Sequence, residues 1–190
     1  MSSIVIQARP YGISVWLREA VSIAVASLAI ALLAQVSIPI GPVPITGQTL
    51  AVLGAAWTLG RLRGTTAVAF YLAWGAFGLP VFAGGTAGFV VFAGPTGGYL
   101  AGFLVAAYAV GAASDSLAGR NWSRNPAVIA AAVSMGTAII YAVGATLLAR
   151  FVGWDRVVAV GIAPFLPGDA LKIGLLAAVL PALASARPRA

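Results

Sequence analysis

Chemistry in this chain is sparse enough to locate by residue type. Pro164 to Lys172 reads PFLPGDALK, and the apolar run it opens ends near Leu183. Asp169 and Lys172 are three residues apart in that run. On a helix this spacing puts both on one face, with Cβ atoms about 5–6 Å apart. A charge facing lipid at mid-depth costs about 2.5–3.5 kcal/mol. The pair therefore needs a reason, either mutual pairing or a polar ligand. A bland reading exists for each residue: Asp169 as a helix cap and Lys172 as its ion-pair partner or a snorkelling cation.

Other candidates are neutral. Thr46 and Gln48 head an apolar run, where they either cap a helix or present an amide to a ligand. Gly94, Gly98 and Gly102 form a G-x-x-x-G-x-x-x-G series. Its plain meaning is close helix packing, although Gly97 and Gly98 at a helix start could also offer amides to an anionic group. Phe82, Phe89, Phe92 and Tyr99 could wall an apolar pocket or form an interfacial belt. Ala20 and Ala24, continued by Ser27 and Ala31, make a small-residue stripe suited to internal packing or to docking another membrane protein.

The surrounding elements are apolar. The 190 residues are 61% hydrophobic and 8% charged, against about 25% charged in a soluble domain, and mean hydropathy is +1.02. This composition implies an all-α integral membrane protein; the period-two pattern of a barrel is absent. The net charge of +7 is spread over isolated arginines between apolar runs, which argues topology rather than nucleic acid. Without cysteine or histidine, thiolate, disulfide and imidazole chemistry are excluded. Four acids (Glu19, Asp115, Asp155, Asp169) leave little for a metal site, and no catalytic residue or cofactor is expected. No G-x-x-x-x-G-K-[ST] run occurs, so ATP hydrolysis by this chain is not expected.

Six spans are expected, at 19–37, 46–59, 65–79, 96–113, 126–149 and 168–184, in one membrane domain over 19–184. Residues 1–18 read as an interfacial segment with Tyr11 and Trp16, and 185–190 as a basic tail. Arginines at the N-terminus, at Arg61 and Arg63, at Arg120 and Arg124, and at the C-terminus outnumber those opposite. The bias places both termini in the cytoplasm. The connections at 38–45, 80–95 and 150–163 then face outward. The first two carry no charge, and the second is apolar enough to fold back over the protein.

Four blocks carry a resemblance: IPIGPVPITGQTLAVL (Ile38 to Leu53), YLAWGAFGLPVFAGG (Tyr71 to Gly85), GPTGGYLAGF (Gly94 to Phe103) and PFLPGDALK. In order and spacing they resemble the BioY family, the biotin-binding substrate-specificity (S) components of energy-coupling factor (ECF) transporters. The resemblance implies the S-component fold, a multi-pass protein of a prokaryotic cell membrane, and biotin held near the outer face. It implies a transmembrane coupling protein and ABC-type ATPases as partners. It assigns Asp169 and Lys172 to biotin and the stripe at Ala20 and Ala24 to the coupling protein. Gln48, Tyr99, Gly97, Gly98, Phe92, Gly85 and Thr86 complete the expected binding set. Alternatives are a carrier for a biotin precursor or another small vitamin, an ion channel, or an intramembrane enzyme.

Overall fold

A computed structural model describes residues 13–183. Arg9, Tyr11, Arg187 and Arg189, which figure in the expected terminal segments, lie outside that range. Helix α1 (Ile13–Gln35) is followed by a two-strand ladder, β1 (Ser37–Ile38) on β2 (Ile45–Thr46). Then come α2 (Gln48–Leu59), α3 (Arg61–Ala76), a one-turn α4 (Val90–Ala93), α5 (Gly97–Ser116), α6 (Pro126–Val152), α7 (Trp154–Gly161) and α8 (Leu166–Leu183).

Polar cross-links fix the two ends of the bundle. At one end Arg63 of α3 pairs with Glu19 of α1 at 2.9 Å, and the Arg61 amide donates to Asp115 of α5 at 2.9 Å. At the other, the Gln35 side chain at the end of α1 meets the 80–95 segment, and α2, α5 and α8 begin beside one another. Among the described residues, six helices of twelve or more residues run alternately between these ends. Helix α5 packs on α2, α3 and α6, and α8 packs on α2 and α6.

Four stretches are long and apolar enough to cross a membrane: Val15–Gln35, Gly97–Ser116, Pro126–Val152 and Trp154–Leu183. Helix α2, with 12 residues, is about 18 Å long, short of the ~30 Å hydrocarbon core. Val21, Val25, Leu28 and Leu32 of α1 are exposed, as expected where lipid is the solvent. The small-residue stripe divides. Ser27 is buried, donating to the Ala67 carbonyl at 2.8 Å, and Ala31 is buried with it, whereas Ala20 and Ala24 are exposed.

Three boundaries differ from the sequence reading. Helix α1 begins before Glu19. Arg61 to Gly64 are helical, because one residue, Gly60 at φ 82°, reverses the chain and leaves no need for a longer turn. The connection read at 150–163 holds the end of α6 and all of α7. Its amphipathic pattern buries Val157 while Trp154 and Val158 stay exposed.

The 38–44 connection bends at Gly41, Pro42 and Val43, and the antiparallel pairs Ser37–Thr46 and Ile38–Ile45 close its base. The 80–95 connection folds back as expected. The Gly88 amide donates to the Gly75 carbonyl at 2.7 Å. Gln35 Nε2 donates to the carbonyls of Val81 and Phe82, both at 3.2 Å, and its Oε1 accepts from the Gly85 amide at 3.1 Å.

Candidate functional site

Pro164 and Pro167 bracket the start of α8, where a missing N–H costs nothing. Asp169 therefore falls in the first turn and Lys172 one turn deeper. Lys172 Nζ donates to Asp169 Oδ1 at 2.8 Å and to Thr49 Oγ1 at 2.8 Å. The Thr49 hydroxyl faces the same Oδ1 at 3.4 Å, and the Tyr141 hydroxyl donates to Oδ2. Asp169 is 5% exposed. Charges this enclosed persist only when paired and hydrogen-bonded, and α2, α6 and α8 each supply a partner.

These groups line a cavity of about 380 Å³, within the roughly 300–1,000 Å³ of small-molecule sites. Its apolar walls include Phe82, Leu100, Phe103, Ile140 and Phe165, and Pro42, Pro44 and Thr86 belong to the connections that cover it. Exposed Pro42 and Thr86 mark the mouth, and buried Leu100 and Phe103 the floor.

Polar capacity at the pair is nearly used. An ammonium has three donors, and two of those on Lys172 are engaged. A carboxylate has about four acceptor sites, and Asp169 uses three. One donor on Lys172 and one acceptor on Asp169 remain, on residues bonded to each other at 2.8 Å. That is the complement of a cis-amide edge, an N–H next to a C=O, as in a cyclic urea.

Asp169, Lys172, Gln48, Tyr99 and Thr86 all line the cavity. Gln48 is buried and donates to the Tyr71 hydroxyl. Thr46 accepts from the Gln48 backbone N–H at 3.3 Å and donates to its Oε1 at 2.7 Å, so Thr46 holds the first amide of α2 and the Gln48 side chain is engaged by Thr46 and Tyr71. Tyr99 donates to the Gly161 carbonyl at 2.8 Å, which fastens α5 to α7.

Phe92, Gly85, Gly97 and Gly98 do not line the cavity. Phe92 stands behind Phe82, ring edge to face at 5.6 Å. Gly85 binds Gln35. A Cβ on Gly97 would lie 1.9 Å from the Phe92 carbonyl oxygen, and one on Gly98 2.8 Å from that of Val143. Both glycines serve close packing.

Sequence reasoning missed Tyr141, Thr49 and Phe165. A phenol in an apolar run must find a partner when buried, and Asp169, one of two acids toward the expected outer side with Asp155, offered an acceptor. Thr49 lies one residue beyond Gln48. No group of three His, Cys, Asp or Glu side chains that could hold a metal occurs among the described residues.

The family model described as the BioY family matches residues 6–189. The chain is 38% identical over 147 residues to the biotin transporter BioY of Thermotoga maritima, spanning 77% of this chain and 83% of that protein. It is 37% identical over 185 residues to the biotin transporter BioY of Rhodobacter capsulatus, spanning 87% and 92%. Its fold is similar to the 2.1 Å crystal structure of the S-component for biotin from an ECF-type ABC transporter, with a TM-score of 0.78, 27% identity, and 90% and 93% of the two chains covered. With the matching blocks, an all-α S-component fold and a ligand-sized cavity built on Asp169 and Lys172, this multi-pass membrane protein belongs to the BioY family.

Proposed function

We propose that this protein is the S component of a biotin uptake system, binding the vitamin in the Asp169–Lys172 cavity. The observation that carries the reading is the adjacent unused acceptor of Asp169 and donor of Lys172 at the base of an apolar chamber. Biotin's ureido ring presents N–H and C=O along one edge. The N–H donates to Asp169 and the carbonyl accepts from Lys172, in charge-assisted bonds of about 1.5–3 kcal/mol each. The thioether ring and methylene chain lie against Phe82, Phe103 and Phe165.

Six crossings with both termini cytoplasmic are part of the same proposal. The alternating helices support it, and so does the gathering of Arg18, Arg61, Arg63, Arg120 and Arg124 at the end away from the cavity. The cavity then opens outward beneath the 38–45 and 80–95 connections, which act as its gates. Exposed Ala20 and Ala24 form the surface for a transmembrane coupling protein, whose ATPases supply the energy.

Equilibrium binding to Asp169→Asn and Lys172→Ala variants tests the site. Both are expected to lose biotin affinity at least tenfold. Unchanged affinity in both would show that biotin binds elsewhere.

A further inference from the structure

The cavity is asymmetric in charge. Among the described residues Lys172 is the one cation lining it, and its ammonium is bonded to Asp169 and Thr49. A ligand carboxylate brought to Lys172 would also face the Asp169 carboxylate, a like-charge approach in a desolvated site. A neutral urea meets no such penalty. The ligand's carboxyl end therefore points to the mouth, at Pro42 and Thr86.

Among the described residues no second cation lines the cavity, so no positive charge at the mouth meets a carboxylate. The single hydroxyl proton of Thr86 goes to the Ala83 carbonyl at 3.0 Å, which leaves that oxygen an acceptor. Thr46 donates to Gln48 Oε1, and Tyr99 to Gly161. A carboxylate only accepts, so these three hydroxyls offer it nothing; the Thr96 hydroxyl, which also lines the cavity, can donate to a carboxylate or to an amide C=O alike, and an amide N–H can donate to Thr86. The N-terminus of α5 lies nearby, but the Gly97 amide is taken by the Gly94 carbonyl at 3.1 Å. At a solvent-exposed mouth the remaining helix-dipole attraction amounts to about twofold to fivefold in affinity. Breaking a desolvated carboxylate–cation contact would cost roughly thirtyfold or more.

We infer that this protein does not select its ligand by the carboxylate: it binds neutral, carboxyl-modified forms of biotin, simple amides in particular, about as well as the free acid. The inference rests on the ureido pose proposed above. It makes the substrate class the bicyclic urea with its alkyl chain, whether the chain ends in an acid or an amide.

Competition titration of the purified full chain with biotin and biotinamide tests it. The expected dissociation constants agree within tenfold, about 1.4 kcal/mol. Biotin binding with a loss of more than tenfold for biotinamide would overturn this inference and leave the ureido pose standing. Failure of biotin itself to bind would overturn both.

Discussion

Removing one member of the Asp169–Lys172 pair and neutralising both should differ in their effect on stability and agree in their effect on binding. Lys172→Met leaves the buried Asp169, a residue 5% exposed, with the Tyr141 and Thr49 hydroxyls but no counter-charge. An uncompensated buried charge of this kind costs about 3–5 kcal/mol. In the double variant Asp169→Asn/Lys172→Met no charge remains: the Asn oxygen at the Oδ2 position still accepts from Tyr141, and its NH2 at the Oδ1 position donates to the Thr49 hydroxyl. Neutral replacement of a buried ion pair is often without net cost, so the double variant should unfold within about 1–2 kcal/mol of the parent protein. Binding responds otherwise, because two charge-assisted bonds to the urea are lost or weakened, together on the order of 3–6 kcal/mol. That corresponds to roughly 10²- to 10⁴-fold in dissociation constant. Thermal unfolding of the ligand-free proteins reads the first quantity and calorimetric titration with biotin the second. A double variant that kept biotin affinity within tenfold would reduce the pair to a structural ion pair. One that unfolded as readily as Lys172→Met would refute the desolvation argument.

The wall, the covering segment and the partner surface give further predictions. A Cβ on Gly75 would lie 2.1 Å from the Phe82 ring, which is held between Tyr71 at 5.5 Å and Phe92 at 5.6 Å; Gly75→Ala should lower unfolding stability by about 1–3 kcal/mol and weaken biotin binding, and a variant unchanged in both would show that the ring yields freely. Gln35→Ala removes three hydrogen bonds to the 80–95 connection, one of them to the carbonyl of the wall residue Phe82, although Gln35 itself does not line the cavity. At about 0.5–1.5 kcal/mol each, it should speed biotin dissociation at least threefold in a chase experiment, and an unchanged rate would mean the segment is fastened elsewhere. Ala24→Leu lies on an exposed face, so it should leave biotin affinity unaltered and reduce co-purification with the coupling protein; undiminished co-purification would move the docking surface off this stripe.

Asp169 and Lys172 were legible because both lie on one helix, where spacing alone sets their geometry. Their partners were not. Thr49 and Tyr141 reach the pair from α2 and α6, and that meeting depends on the rotation of each helix about its axis. Apolar residues surround these helices on nearly every side, so sequence periodicity gives little indication of the inward face. The same uniformity misplaced Gly97 and Gly98: a glycine in an apolar helix fits a ligand amide or a close neighbour equally well until the neighbour's position is known. Apolar runs marked the long helices well, since a helix near lipid must satisfy its own backbone. Helix α7 escaped because Asp155 and Arg156 resemble a loop when read as composition, although Val157 at its buried position belongs to an amphipathic turn.

The structure of the protein with biotin bound tests the central claim most directly. The account predicts the ureido oxygen within about 2.7–3.2 Å of Lys172 Nζ and a ureido nitrogen equally near Asp169, with the carboxyl group at Thr86. Biotin lying in the cavity with its urea away from both side chains, or with its carboxylate on Lys172, would contradict it.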